Sequence, residues 1–207
     1  MIVPAVYVIT GLFGSGKTTL GGRVADVLRW PLFDVGAELR HRMESDETFR
    51  SVVSPHMSSG SLVPDEIILS LFEGFLEQHN QGSIILVGYP RNALQVRHLL
   101  MSEHDDGERV ARPIVCITLE IPPEAAFRII QSSPTDRSER TDQDNGVLER
   151  RLQIYQNEII PAIELLGSRS PDDAWKRVLI TERLEWQEPR PSVEVRSAQL
   201  LELMRLE

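Results

Sequence analysis

The stretch GLFGSGKT, Gly11–Thr18, sets three glycines, one lysine and a threonine at the spacing G-x-x-x-x-G-K-[ST]. Glycines let successive backbone N–H groups turn inward and wrap a phosphate, and a helix N-terminus behind them adds its dipole. A lysine here reaches the β- and γ-phosphates, and the next hydroxyl can ligate Mg²⁺. Gly11, Gly14, Ser15, Gly16, Lys17, Thr18 and Thr19 are therefore the candidate polyphosphate-binding residues. Lys17 is one of two lysines in the chain, the other being Lys176. A protein that uses arginine almost everywhere has kept lysine where a compact ammonium must fit a loop. Its side chain is expected to face solvent in the empty protein.

Such a loop needs a strand before it and a helix after it. Ala5–Thr10, AVYVIT, is a short β-branched run, and Leu20, Val24 and Leu28 form one stripe of a helix over Thr18–Leu28. WPLFD, SIILVG, PIVCITLEI and WKRVLITE are further strand candidates. Between them lie helical stretches at about 36–58, from Pro64 and Asp65 onward, from Pro90, at PPEAAFRIIQ, over Val147–Leu166 and near 192–206. Pro90 is placed in a first helical turn. Near-continuous apolar strands alternating with helices predict an α/β fold, a parallel sheet covered on both faces. Residues 132–146, SSPTDRSERTDQDNG, lack large apolar side chains and read as a polar surface loop.

At 207 residues one domain is expected over 1–207, large enough for a core without disulfides or metals. The net charge of -9 argues against a general nucleic-acid surface. Cys116, the single cysteine, sits in an apolar strand run and reads as a small buried hydrophobe. MIVPAVYVITG lacks a basic leader region, and no apolar run nears the ~20 residues that span a bilayer. The expectation is a cytoplasmic protein with no membrane or nucleic-acid partner; monomer and homodimer stay open.

Four further segments follow the loop in order: DVGAELR, GSLVPDEII, ILVGYPRNALQ and RTDQDNGVLERRLQIYQNEIIPAI. With the loop they resemble the adenylate kinase branch of the nucleoside monophosphate kinases, from Ile9 to about Leu166. The resemblance implies a P-loop NTPase fold: a five-stranded parallel sheet flanked by helices, a small helical NMP-binding insert at 35–64 and a short lid at 132–146. It implies transfer of the γ-phosphoryl of ATP, with Mg²⁺, to a nucleoside monophosphate. Arg40 and Arg91 match arginines that grip the acceptor phosphate, and Gly88 belongs to the same GYPR motif. Gln95 matches the glutamine that reads adenine, which favours AMP. Leu62 and Val63 match the segment beside the acceptor base, and Arg128 an arginine stacked on the donor adenine. Arg140 and Arg151, eleven positions apart, match two arginines that close on the transferring group. Lys17, Arg91, Arg140 and Arg151 are thus the implied catalytic residues. Arginines suit the reaction because phosphoryl transfer asks mainly for positioning and charge neutralisation.

Three positions leave the family pattern. Val87 stands where the family has an aspartate that holds the Mg²⁺ hydration shell. Thr18 stands where it usually has glycine, and a threonine there can ligate the metal directly. Ser132 stands where the first lid arginine is expected, with Arg137 a substitute charge. Asp34 is either a replacement metal anchor or the cap of the next helix. The rival readings are a kinase for CMP, UMP or a small metabolite, and a nucleotide-binding regulator with little transfer.

Overall fold

The structure is a computed structural model; it describes residues 4–103, 112–132, 144–167 and 180–204. Five strands pair in parallel in the order β2-β3-β1-β4-β5. They are β1 (Val6–Gly11), β2 (Leu32–Asp34), β3 (Ile84–Val87), β4 (Ile114–Leu119) and β5 (Ile180–Leu184). β1 is buried along its whole length because β3 and β4 flank it and helices cover both faces. Side chains alternate across a strand. Val6 and Val8 therefore join Phe33, Phe72, Ile84, Leu86 and Leu99 on one face. Tyr7 and Ile9 join Val24, Ile85, Val87, Val115 and Ile117 on the other. Each fully buried aliphatic side chain contributes about 1.5–3 kcal/mol, so a charged residue at Val8 would break the sheet at its centre. Cys116 is buried in β4, and burial pushes its thiol up to about 12, which fits its reading as packing.

The helices are α1 (Lys17–Leu28), α2 (Val35–Ser45), α3 (Glu47–Ser59), α4 (Asp65–Gln78), α5 (Ala93–Ser102), α6 (Pro123–Ser132), α7 (Asn145–Ile154), α8 (Ile160–Gly167) and α9 (Val193–Leu203). Short polar side chains start several of them: Asp34, Asp46, Asn92, Asp144 and Ser192 each accept a bond from a backbone N–H of the first turn. α1 differs. Its cap is Gly16, in the left-handed region at φ 95°, with no side-chain bond to the first amides. Those amides stay available to an anion.

Three expectations are corrected. Pro90 is outside α5, which starts at Ala93, because the Asn92 side chain caps it by accepting from the Gln95 N–H. The helix expected over Val147–Leu166 begins at Asn145 and widens into a π turn at Tyr155–Ile159. Pro161 lacks an N–H and would crowd the preceding turn of an unbroken α-helix; it falls in the first turn of α8 instead. β5 reaches Leu184, beyond the expected end at Glu182. Of the lid expected at 132–146, residues 133–143, with Arg137 and Arg140, lie outside the described residues; Ser132 ends α6.

Neighbouring β1 on its two sides are β3 and β4, so the chain's crossovers diverge at its C-terminal end. Open parallel sheets place ligands at such a switch point. Gly11 and the phosphate loop begin there.

Candidate active site

A cleft of about 850 Å³ opens at that end of the sheet. Its floor is Thr10, Asp34, Val87 and Gly88, at the ends of β1, β2 and β3. The phosphate loop forms one wall. α2 and α3 form the opposite wall, through Leu39, Arg40, Met43 and Met57, and the turn after α3 adds Leu62 and Val63. Arg151 and Tyr155 enter from α7 and its π turn, and Arg190 and Arg196 from the C-terminal segment. Lys17, Arg40, Arg91, Arg151, Arg190 and Arg196 all line the cleft, and Asp34 is the one carboxylate among the described residues that does. A chain of net charge -9 has gathered six cations around one cavity. Low-dielectric walls of one sign focus the field on an anion.

The loop's shape depends on its glycines at two places. A Cβ on Gly11 would collide with the Leu119 carbonyl oxygen of the neighbouring strand. Gly14 has φ 72° and lies against the Ala126 backbone, where a Cβ would be 3.1 Å from the carbonyl oxygen. Ser15 is fully buried, while Thr18 and Thr19 are exposed along the cleft.

Lys17 is half-buried rather than solvent-facing, which corrects the expectation. Its ammonium donates to the Gly11 and Leu12 carbonyls, 2.7 Å each, and to Ser15 Oγ at 3.4 Å. The loop's curvature turns those carbonyls toward it, so the amine satisfies itself locally. Burial of the ammonium, reinforced by Arg91, pushes its pKa down to about 7, against an opposing pull from Asp34.

Arg91 is held by Gly88. Its Nε donates to the Gly88 carbonyl (2.8 Å), and Gly88 at φ 74° leaves room for the guanidinium where a Cβ would be 2.8 Å away. Burial lowers the Arg91 pKa, Asp34 raises it and Arg151 lowers it. An arginine stays protonated through such shifts. Arg40 folds over Gly36, with its guanidinium 3.2 Å and Asp34 Oδ1 3.3 Å from where a Gly36 Cβ would be. Arg151 Nη2 donates to the Met57 carbonyl (3.3 Å), tying α7 to the end of α3.

Three of the expected site residues lie off the cleft lining: Ser15, Gln95 and Arg128. Gln95 is buried beside it, not on it. Its Oε1 accepts from the Arg91 N–H (2.8 Å) and its Nε2 donates to Asp65 Oδ1 (2.7 Å). Those partners set which amide atom points where, and each atom keeps one further hydrogen-bonding valence. Arg128 lies in an adjoining groove with Ile129, Trp186, Pro189 and Arg190, where it donates to Glu188 (2.8 Å).

Of the two readings of Asp34, the helix cap is the one observed. Its Oδ1 accepts from the Ala37 N–H (3.0 Å), capping α2. Its Oδ2 is buried and has no hydrogen-bond partner among the described residues. Asp34 is the register partner of Val87, so both occupy the same sheet face. No group of three or more His, Cys, Asp or Glu among the described residues could hold a metal. Mg²⁺ does not need one; it takes one or two carboxylates and completes its shell with water and phosphate oxygens. The free Asp34 oxygen and the Thr18 hydroxyl fit that role.

The family model for adenylate kinase matches residues 9–170. The chain belongs to the adenylate kinase family. Among its relatives, an adenylate kinase of Synechococcus sp. (strain JA-2-3B'a(2-13)) is 26% identical over 195 residues, 93% of each chain. "Adenylate kinase 1" of Nostoc sp. is 31% identical over 160 residues, 75% of this chain and 81% of its own. An adenylate kinase of Thermus thermophilus is 26% identical over 188 residues, 86% of this chain and 97% of its own. Membership makes this protein a phosphotransferase of the nucleoside monophosphate kinase type. The five-stranded parallel sheet is the architecture of that family. No helix among the described residues is long and apolar enough to cross a membrane.

Sequence reasoning missed Arg190 and Arg196. They lie beyond the matched region and carry no local motif. Ser192, which caps α9, was the one available signal that a helix begins beside them.

Proposed function

We propose that this family member transfers the γ-phosphoryl group of ATP to AMP, with Mg²⁺. The gathering of six cations around a cleft with one carboxylate carries the reading. Such a site suits two nucleotides brought phosphate to phosphate. The phosphate loop takes the donor. The insert, residues 35–64, takes the acceptor: Arg40 and Arg91 bind its phosphate, and Leu62 and Val63 lie along its base. Gln95 presents its spare lone pair and N–H to the adenine edge, while Asp65 and the Arg91 N–H keep the amide from flipping. Lys17 exchanges the loop carbonyls for the β- and γ-oxygens of the donor. Arg151, with Arg140 of the lid 132–146, closes on the transferring group, and Arg128 leaves Glu188 for the donor base.

Mg²⁺ would neutralise the β- and γ-oxygens, held by Thr18 and by Asp34 in place of the family's aspartate at 87. The strand register supports the exchange, since Asp34 is Val87's neighbour on the same face. The protein's own residues do the rest. They orient both phosphates, spread the developing charge over guanidiniums and exclude water.

A second reading rests on one observation: Gln95 is buried off the cleft lining. If its amide stays locked, the acceptor base is read elsewhere, and CMP or UMP becomes the substrate. Coupled assays of nucleoside diphosphate formation from ATP with AMP, CMP, UMP and GMP decide between them. The highest kcat/KM with AMP is expected. Preference for a pyrimidine monophosphate would replace AMP. Tight ATP binding without turnover on any acceptor would make the protein a regulator.

A further inference from the structure

Arg196 is 3% exposed, in the first turns of α9. One guanidinium nitrogen, Nη1, donates to the Ser15 carbonyl of the phosphate loop (2.8 Å), across 181 residues of chain. The other, Nη2, is buried with no hydrogen-bond partner among the described residues. The nearest acid of the same helix, Glu194, turns outward to Arg23 (3.3 Å). Arg190 converges on the same point: its Nη2 is 2.9 Å, and Arg196 Nη1 3.3 Å, from where a Gly16 Cβ would be. Both arginines line the cleft.

Three electrostatic effects at Arg196 are unfavourable in the empty protein. The charge is desolvated. A cation near a helix N-terminus opposes the helix dipole. Arg190 repels it, and burial and that repulsion both lower its pKa. A side chain needed only to brace the Ser15 carbonyl could be a neutral donor at less cost. What relieves all three at once is an anion on the phosphate loop.

We propose that Arg196 is a positioning residue of the donor site: with Arg190 it fixes the phosphate loop from the C-terminal segment and matches its charge to a bound polyphosphate. The proposal rests on the loop binding a polyphosphate and is independent of the acceptor's identity. The segment 186–196 thereby couples loop occupancy to the docking of α9. An empty loop leaves two like charges facing each other, and a filled one makes them complementary.

The test uses inorganic tripolyphosphate, which has no base and needs no turnover, and reads the thermal midpoint. The unsubstituted protein should be stabilised by tripolyphosphate. Arg196→Met should be no less stable when empty, yet bind tripolyphosphate at least ~10-fold more weakly, because the loop loses a neighbouring positive charge. Its KM for ATP should rise by a similar factor while the acceptor's KM stays put. Arg196→Lys should recover most of the affinity. A less stable empty protein with unchanged tripolyphosphate affinity would leave Arg196 a structural brace and overturn the proposal. If Arg196→Met does not fold, Arg190→Ala decides, because Arg190 is exposed; unchanged tripolyphosphate affinity there also overturns it. No response of the unsubstituted protein removes the loop reading and this proposal together. Weakened binding in Arg196→Met, with no diphosphate formed from any acceptor, upholds the proposal while the kinase reading falls.

Discussion

Val87→Asp would restore the carboxylate that the family carries at the end of β3, and the structure argues that it harms this protein. Val87 is 2% exposed and packs on α1, its Cγ2 2.7 Å from where a Gly21 Cβ would be, with Ile9 and Leu32 beside it. Losing that packing costs about 1.5–3 kcal/mol. The new carboxylate would sit one strand away from Asp34, its register partner. At about 5 Å, with an effective dielectric constant near 20, two like charges repel by ~3 kcal/mol. Lys17 and Arg91 offset part of this, since Asp34 already interacts with both. A net loss of roughly 2–4 kcal/mol is expected, or about 5–15 °C in the thermal midpoint of a chain this size. Thermal denaturation without Mg²⁺ measures it, and diphosphate formation across a Mg²⁺ titration measures the consequence. Turnover should fall or the Mg²⁺ requirement shift, because two carboxylates now compete for one ion. Raised turnover at an unchanged midpoint would refute the reasoning: the metal anchor would then be missing from β3 rather than moved to β2.

Lys17→Ala should cut turnover at least ~10²-fold, as removal of one preorganised donor does, and leave the empty protein folded; near-normal turnover would remove this loop from the chemistry. The lowered Lys17 pKa, about 7 against an ordinary 10.5, means the unfolded chain binds more protons between those values. Stability should therefore rise with pH across about 7 to 10.5, and Lys17→Met should flatten that rise in a series of denaturation curves. Gln95→Asn breaks the bonds to Asp65 and the Arg91 N–H, so AMP should lose roughly 10–100-fold in kcat/KM with KM for ATP constant; unchanged AMP turnover would remove this residue from base recognition. Glu188→Ala frees Arg128 from an exposed ion pair worth about 0–1 kcal/mol, so stability should hold while KM for ATP falls up to about fivefold; an unaltered KM would show that the pair does not compete with the donor.

The phosphate loop was legible because its chemistry is contiguous. Eight consecutive residues, Gly11–Thr18, form the cradle from their own backbone, and the spacing of small residues is its shape. The strands were legible because burial on both faces leaves unbroken apolar runs such as AVYVIT and SIILVG. Helix starts were less legible: the Asn92 and Asp144 caps place α5 and α7 at Ala93 and Asn145, where Pro90 and Val147 were expected. The roles proposed for Arg40, Arg91, Gln95 and Arg151 rest on the ordered set of motifs. Singly, each is an ordinary helix or loop residue, and the convergence of the three arginines needs α2, the β3–α5 turn and α7 folded around one cleft. Other features belonged to tertiary structure alone. The free oxygen of Asp34 depends on which side of the sheet Val87 faces. The curled Lys17 depends on carbonyls oriented by glycines, and the lock on Gln95 on an aspartate 30 residues away. The pairing of Arg196 with Ser15 joins positions 181 apart. Local sequence specifies a backbone that makes its own partners; it is silent on charges whose partners arrive from elsewhere in the chain, because only the packed sheet sets their distances.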